Sequence, residues 1–341
     1  MIKANLEGNI LDYLDWRGDI TFSQDPVNMV DGLIFSTLAY LNYPVPEGVS
    51  LPLHEVFAAW AKLPEEDQYR GMDIMEKSCR SLAEEIDSYP RFRDLEVTDY
   101  LELSSEEQQM QFSAVTFLLP DKNLFVAYRG TDNTLVGWKE DFNMAFIAGT
   151  PAQLEATRYL KKIAEKYPDY SIYLGGHSKG GNLAVWAAGY LPDDINGRLI
   201  RVFNNDGPGF IEDFTDSPQF KAVKDKIFSY VPESSIIGVL MGGCEYRIIK
   251  SSSVSLFQHD PFSWRILGNS FIYDTSRSLS SIRLGKKCND IIRTLNKEEY
   301  AEFIEKIYDD IRASDADTLD DLQGYLLKKA LSLLGRIKDL K

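Results

Sequence analysis

Between Ser171 and Trp186 the chain reads Ser-Ile-Tyr-Leu-Gly-Gly-His-Ser-Lys-Gly-Gly-Asn-Leu-Ala-Val-Trp. A β-prone apolar run stops on two glycines and a serine follows. The small residues Gly180, Gly181, Ala184, Ala187 and Ala188 then recur at helical spacing. A strand that feeds directly into a helix able to lie close on a sheet belongs to the α/β class. Within it, Gly176-His177-Ser178-Lys179-Gly180 satisfies G-x-S-x-G, the nucleophile-elbow pattern. There the serine occupies a strained turn, and glycines let strand and helix approach. The expectation is a sheet whose carboxyl edge presents Ser178 as an attacking group.

The remaining composition narrows what such a chain can do. In 341 residues, 44% are hydrophobic and 26% charged, as in a folded protein with room for one large domain or two ordinary ones. The first residues carry no apolar signal-peptide core, and no segment approaches eighteen uninterrupted apolar residues, so a cytoplasmic protein without stable membrane insertion is expected. Cys79, Cys244 and Cys288 are odd in number and far apart, which suggests neither a disulfide framework nor a thiolate metal site. A formal net charge of −15 without a segregated basic cluster disfavours nucleic acid and anionic membranes.

Along the chain, residues 1–92 read as helical. A segment near Asn9 to Trp16 is followed by a helix with Asp25 as cap and Pro26 at its first position, burying Val27, Val30, Ile34 and Leu38. A second helical region runs from about His54 to Ser88. Val97 to Leu103, Met110 to Leu119 and Leu124 to Tyr128 then form a meander of strands. Helix and strand alternate afterwards. The stripe from Ala156 to Tyr167, the elbow strand and helix, strands at Leu199 to Phe203, Lys226 to Val231 and Glu245 to Lys250, and a short helix at Pro218 to Val223 imply a mostly parallel sheet covered on both faces. The carboxyl end is helical again, with Asn296 and Glu299 placed as a capping box, Tyr300 to Ile307 on one face, and a last stripe from Thr318 that packs on its own domain.

A serine hydroxyl is a weak nucleophile at neutral pH and needs a histidine within reach, itself oriented by a carboxylate. Of three histidines, His177 sits inside the elbow, where its side chain is expected to point away from the nucleophile's partner, and His54 precedes the sheet. His259, in Phe257-Gln-His-Asp-Pro-Phe-Ser-Trp264, follows the last predicted strand, which is where the order Ser, acid, His puts the base. Two positions compete for the acid. Asp206 follows one strand in the turn-like Asn205-Asp-Gly-Pro-Gly209, and Glu233 follows the next in Tyr230-Val-Pro-Glu-Ser-Ser-Ile-Ile-Gly238. Asp260 reads as an N-cap or a support for the base. Oxyanion donors are expected at the amide of Lys179, which opens the elbow helix, and at Thr131, which ends Leu124-Phe-Val-Ala-Tyr-Arg-Gly-Thr. The apolar run Ile236 to Met241, followed by Gly242 and Gly243, reads equally as an acyl-pocket wall or lid and as core.

Phe125-Val-Ala-Tyr-Arg-Gly-Thr131, Trp138-Lys-Glu-Asp141 and Gly176-His-Ser-Lys-Gly-Gly-Asn-Leu-Ala184 resemble the class 3 lipases of the α/β-hydrolase fold, whose R-G-T turn supplies an oxyanion-hole residue. Asn9-Ile-Leu-Asp-Tyr-Leu-Asp-Trp-Arg-Gly-Asp19, Asn205-Asp-Gly-Pro-Gly209 and Gln258-His-Asp-Pro-Phe262 resemble more closely a family of lipase-like α/β hydrolases from bacteria, mainly Firmicutes. The resemblance covers residues 9–265. In class 3 lipases the acid usually follows a strand that falls near Glu233 here, without the expected aspartate, so the choice between Asp206 and Glu233 stays open. The resemblance implies one α/β-hydrolase domain over 1–341, with a helical part (1–92), a catalytic sheet core (93–265) and a helical carboxyl part (266–341). It also implies cleavage of a small-molecule ester or lipid through a Ser-His-acid triad and an acyl-enzyme, without metal or cofactor. A catalytically weak fold kept as a binding module, or an acyltransferase or thioesterase with the same triad, are the alternatives.

Overall fold

The computed structural model describes residues 7–294, apart from 47, 72, 133–139, 141–143, 145–148 and 211. One sheet contains β1 (Ser50–Pro52), β2 (Glu96–Ser105), β3 (Met110–Leu119), β4 (Asn123–Tyr128), β5 (Ser171–His177), β6 (Leu199–Asn205), β7 (Ile227–Pro232) and β8 (Tyr246–Ile249), in that spatial order. The longer helices are α1 (Ile10–Arg17), α2 (Met29–Leu38), α3 (Leu53–Trp60), α4 (Asp73–Glu85), α5 (Pro151–Lys166), α6 (Lys179–Gly189) and α7 (Leu279–Thr294).

The first four strands pair antiparallel, and β4 through β8 pair parallel. Because spatial order equals chain order in the parallel part, each crossover steps the same way, and right-handed crossovers then place their helices on one face. Leu124, Val126, Ile172, Leu174 and Val202 accordingly share a buried cluster with Ala156 and Leu160 of α5, Leu183 and Ala187 of α6, and Phe220 of the helix Pro218–Val223. Alternate strand residues point the other way. Phe125, Ala127, Tyr173, Phe203 and Tyr230 join Tyr13 and Leu14 of α1 and Leu33, Phe35 and Leu38 of α2 in a second cluster. The Phe35 ring lies 4.6 Å from that of Phe125 and 4.9 Å from that of Phe117. The amino-terminal helices thus cover the second face of the sheet.

Several expectations need correction. α2 starts at Met29, capped by Asn28, whose side chain accepts from the amides of Val30 and Asp31 while Asp31 bonds back to the Asn28 amide. Such a reciprocal cap contributes about 1 kcal/mol. Asp25 instead pairs with Arg17 at 2.5 Å, and Pro26 precedes the helix. The region from His54 to Ser88 is divided into α3, a one-turn helix at Glu65–Gln68 and α4 rather than being continuous. Three short strands were unforeseen: β1, and the pair Ile266–Leu267 with Ser270–Phe271, all too brief to carry a period-two pattern. Of Trp138 to Asp141 only Glu140 is described; Asn296, Glu299, the stripe from Tyr300 and the stripe from Thr318 lie outside the described residues. Among the described residues, no helix is long and apolar enough to cross a membrane.

Candidate active site

β5 ends at His177 and α6 begins at Lys179, so Ser178 alone makes the turn, with φ 58° and ψ −132°. A residue with a Cβ is strained there by about 1–3 kcal/mol, which surrounding bonds must offset. The Ser178 amide donates to Asn205 O at 3.0 Å, and its carbonyl accepts from the Gly181 amide at 2.9 Å. The side chain makes no capping bond to its own helix, so the hydroxyl is left for another partner. Gly180 is required by close approach: a Cβ there would stand 2.1 Å from the carbonyl oxygen of Tyr128 at the end of β4. The elbow therefore rests directly on the Arg129-Gly130-Thr131 turn, and Thr131 is buried at its rim.

Asp206 leaves β6 in a left-handed conformation, φ 53°, and its carboxylate is wholly buried. His259 Nδ1 lies 2.6 Å from Asp206 Oδ2. The Ser235 hydroxyl lies 2.7 and 2.8 Å from the two carboxylate oxygens, and the Gly238 amide donates to Oδ1 at 3.1 Å. With Nδ1 donating to a carboxylate, the ring keeps its lone pair on Nε2. The loop after Asp206 is seated on the elbow: a Cβ on Gly207 would meet the Ser178 carbonyl oxygen at 2.7 Å, and the Asn182 amide group of α6 donates to Pro208 O and Gly209 O. Glu233, the competing acid, meets Gln258 Nε2 at 3.4 Å rather than the imidazole. Burial first, and a hydrogen bond with Asp274 second, push the Glu233 carboxyl above its ordinary range.

His177 does not point away from the base, contrary to expectation. Its ring packs 4.5 Å from the His259 ring at 35°, its Nε2 lies 2.7 Å from the carbonyl oxygen of His259, and its Nδ1 lies 3.0 Å from the hydroxyl of Tyr40, just past α2. A carbonyl can only accept, so Nε2 carries the proton and Nδ1 accepts from Tyr40. Complete burial, and secondarily the neighbouring His259, hold the His177 pKa well below 6.5, which keeps the ring neutral. Asp260 is the N-cap foreseen for it, accepting from the Phe262 amide at 3.0 Å; burial raises its pKa to about 6.

The Lys179 amide opens α6 and, as a first-turn amide, has no intrahelical acceptor. Its side chain, which sequence reasoning ignored, is buried and reaches Gln111 O at 2.8 Å, Gln111 Oε1 at 2.7 Å and Glu140 Oε2 at 3.2 Å. Glu140 also accepts from the amides of Gln111 and Ala152, so one carboxylate joins β3, the elbow and α5. Within the run Ile236 to Met241, the Gly238 amide donates to Asp206, and Gly238 and Val239 line a cavity of about 340 Å³. Neither Ser178 nor His259 is among that cavity's lining residues. Among the described residues, no cluster of three or more histidine, cysteine or acidic side chains could hold a metal ion.

Among solved structures, M37 lipase matches at 16% identity over 61% of this chain and 68% of its own, with a TM-score of 0.39. Lip2 lipase from Yarrowia lipolytica matches at 16% identity over 70% of this chain and 83% of its own, with a TM-score of 0.39. A triacylglycerol lipase whose catalytic centre is a serine protease triad matches at 15% identity over 65% and 78%, again at 0.39. No curated protein matches the chain. The Mbeg1-like family model matches residues 86–309, from the end of α4 to beyond α7 and so across the elbow, the acid loop and the base. The chain belongs to the Mbeg1-like family.

Proposed function

We propose that this protein is a serine hydrolase of carboxylic esters, with Ser178 as nucleophile, His259 as general base, Asp206 as orienting acid, and the amides of Lys179 and Thr131 as oxyanion donors. The observation that carries this reading is the 2.6 Å contact between His259 Nδ1 and a fully buried, three-donor Asp206 carboxylate, beside a serine held at φ 58°. Asp206 is preferred to Glu233 because only Asp206 meets the imidazole.

In this mechanism Ser178 Oγ attacks the ester carbonyl carbon and its proton passes to His259 Nε2. The carbonyl electrons move onto oxygen, where the two amides stabilise the charge. Collapse breaks the bond to the alcohol, which leaves with the proton from Nε2, and the acyl group stays on Ser178. Water repeats the sequence and releases the acid. The hydrogen bond from Nδ1–H to the Asp206 carboxylate compensates the transient imidazolium. The chemistry needs no cofactor, and the chain is read as one hydrolase domain working in the cytoplasm on a small ester or lipid.

A fluorophosphonate probe tests it. The wild type should label, and S178A should not; H259A should label far more slowly because the hydroxyl loses its base. Equal labelling of wild type and S178A would sink the nucleophile assignment. A series of p-nitrophenyl esters of increasing chain length then reads the acyl preference.

A further inference from the structure

The loop that cradles Asp206 is itself held from outside, by α7. Ser281, Gly285 and Asn289 fall four residues apart on α7 and therefore share one face. The Ser281 hydroxyl and the Arg277 guanidinium both donate to the carbonyl oxygen of Ser235. Asn289 grips the other end: its Oδ1 accepts from the Met241 amide at 2.8 Å, and its Nδ2 donates to Val239 O at 2.9 Å. Between them Gly285 lets the helix approach, since a Cβ there would stand 3.1 Å from Val239 Cγ2. The segment between these grips contributes the Ser235 hydroxyl and the Gly238 amide, two of the three donors to the Asp206 carboxylate.

We propose that α7 is a clamp on the acid loop and that Asn289 and Ser281 are positioning residues for Asp206. The inference rests on the triad reading above. A loop containing Gly238, with Met241, Gly242 and Gly243 all at positive φ just after it, has little intrinsic preference for one shape. The two grips supply that preference. When either is lost, the donors to Asp206 shift, the carboxylate turns, and the imidazole loses its orientation. Substrate binding, which uses neither group, is unchanged. The expected signature is a fall in kcat without a change in KM.

The experiment is a double-mutant cycle on the full chain with a p-nitrophenyl ester. N289A and S281A should each lower kcat roughly ten- to a hundredfold with KM within about twofold. In a D206N background neither should lower kcat further, because the carboxylate they orient is gone. The same loss in both backgrounds, or no loss in wild type while D206N is impaired, overturns the clamp and leaves the triad standing. If D206N itself keeps wild-type kcat, the triad assignment fails, and the clamp with it. S281A removes one hydroxyl only, so it carries the test should N289A fold poorly.

Discussion

Replacing His177 by glutamine should change how stability depends on pH, by an amount that follows from its burial. The ring is neutral in the folded protein because desolvation holds its pKa well below 6.5, whereas in the unfolded chain it titrates near 6.5. Its contribution is therefore present above pH 6.5 and lost as pH falls, since only the unfolded state takes up the proton. Between pH 7.5 and 5.5 the loss is about 1.4 kcal/mol. Asp260 acts in the opposite sense. Its folded pKa of about 6 lies above the unfolded value near 3.9, so over the same interval the folded state gains the proton and about 0.8 kcal/mol of stability. In the wild type the first exceeds the second by about 0.6 kcal/mol; in H177Q only the second remains. The variant also loses the ring's packing and two hydrogen bonds, a cost of about 2–4 kcal/mol at either pH. Urea unfolding followed by tryptophan fluorescence at pH 7.5 and 5.5 measures the effect. H177Q should lie closer to the wild type at pH 5.5 than at pH 7.5, by about 1.4 kcal/mol. Parallel pH dependence in the two proteins would refute a neutral, buried His177.

Three further substitutions and one double variant test the remaining roles. D206N should lower kcat on a p-nitrophenyl ester by about 10⁴-fold, by leaving His259 in the wrong tautomer, while E233Q should stay within about threefold of wild type. K179M should destabilise by about 3–5 kcal/mol in thermal or urea unfolding, because it strands the Glu140 carboxylate without its cation, and K179M/E140Q should recover part of that loss.

What could be read from the chain was what is local. The elbow, the three meander strands and the four later ones follow from alternation, glycine placement and short-range spacing, and their bounds in the structure differ by a residue or two. The choice of acid was not local. Asp206 and Glu233 both follow strands in polar loops, and what distinguishes them is the His259 imidazole, which arrives on Asp206 from 53 residues further along the chain. His177 was misjudged because its ring direction depends on a pocket assembled from Tyr40 and the His259 segment, elements far apart in sequence. The Lys179 side chain was missed for a related reason: a lysine beside a nucleophile reads as solvated until a buried glutamate is found facing it.

The placement of α1 and α2 over the second face of the sheet bears on where the folding unit ends. The stretch matched by the family model begins at residue 86, after both helices, β1 and Tyr40. A polypeptide trimmed to that stretch keeps all five residues proposed for the chemistry. It also strips α2 from the rings of Phe125 and Phe203, and takes from His177 Nδ1 the Tyr40 hydroxyl that donates to it. Recognisable ancestry and autonomous folding have different borders in this molecule. Recombinant work guided by the first alone is expected to yield insoluble material.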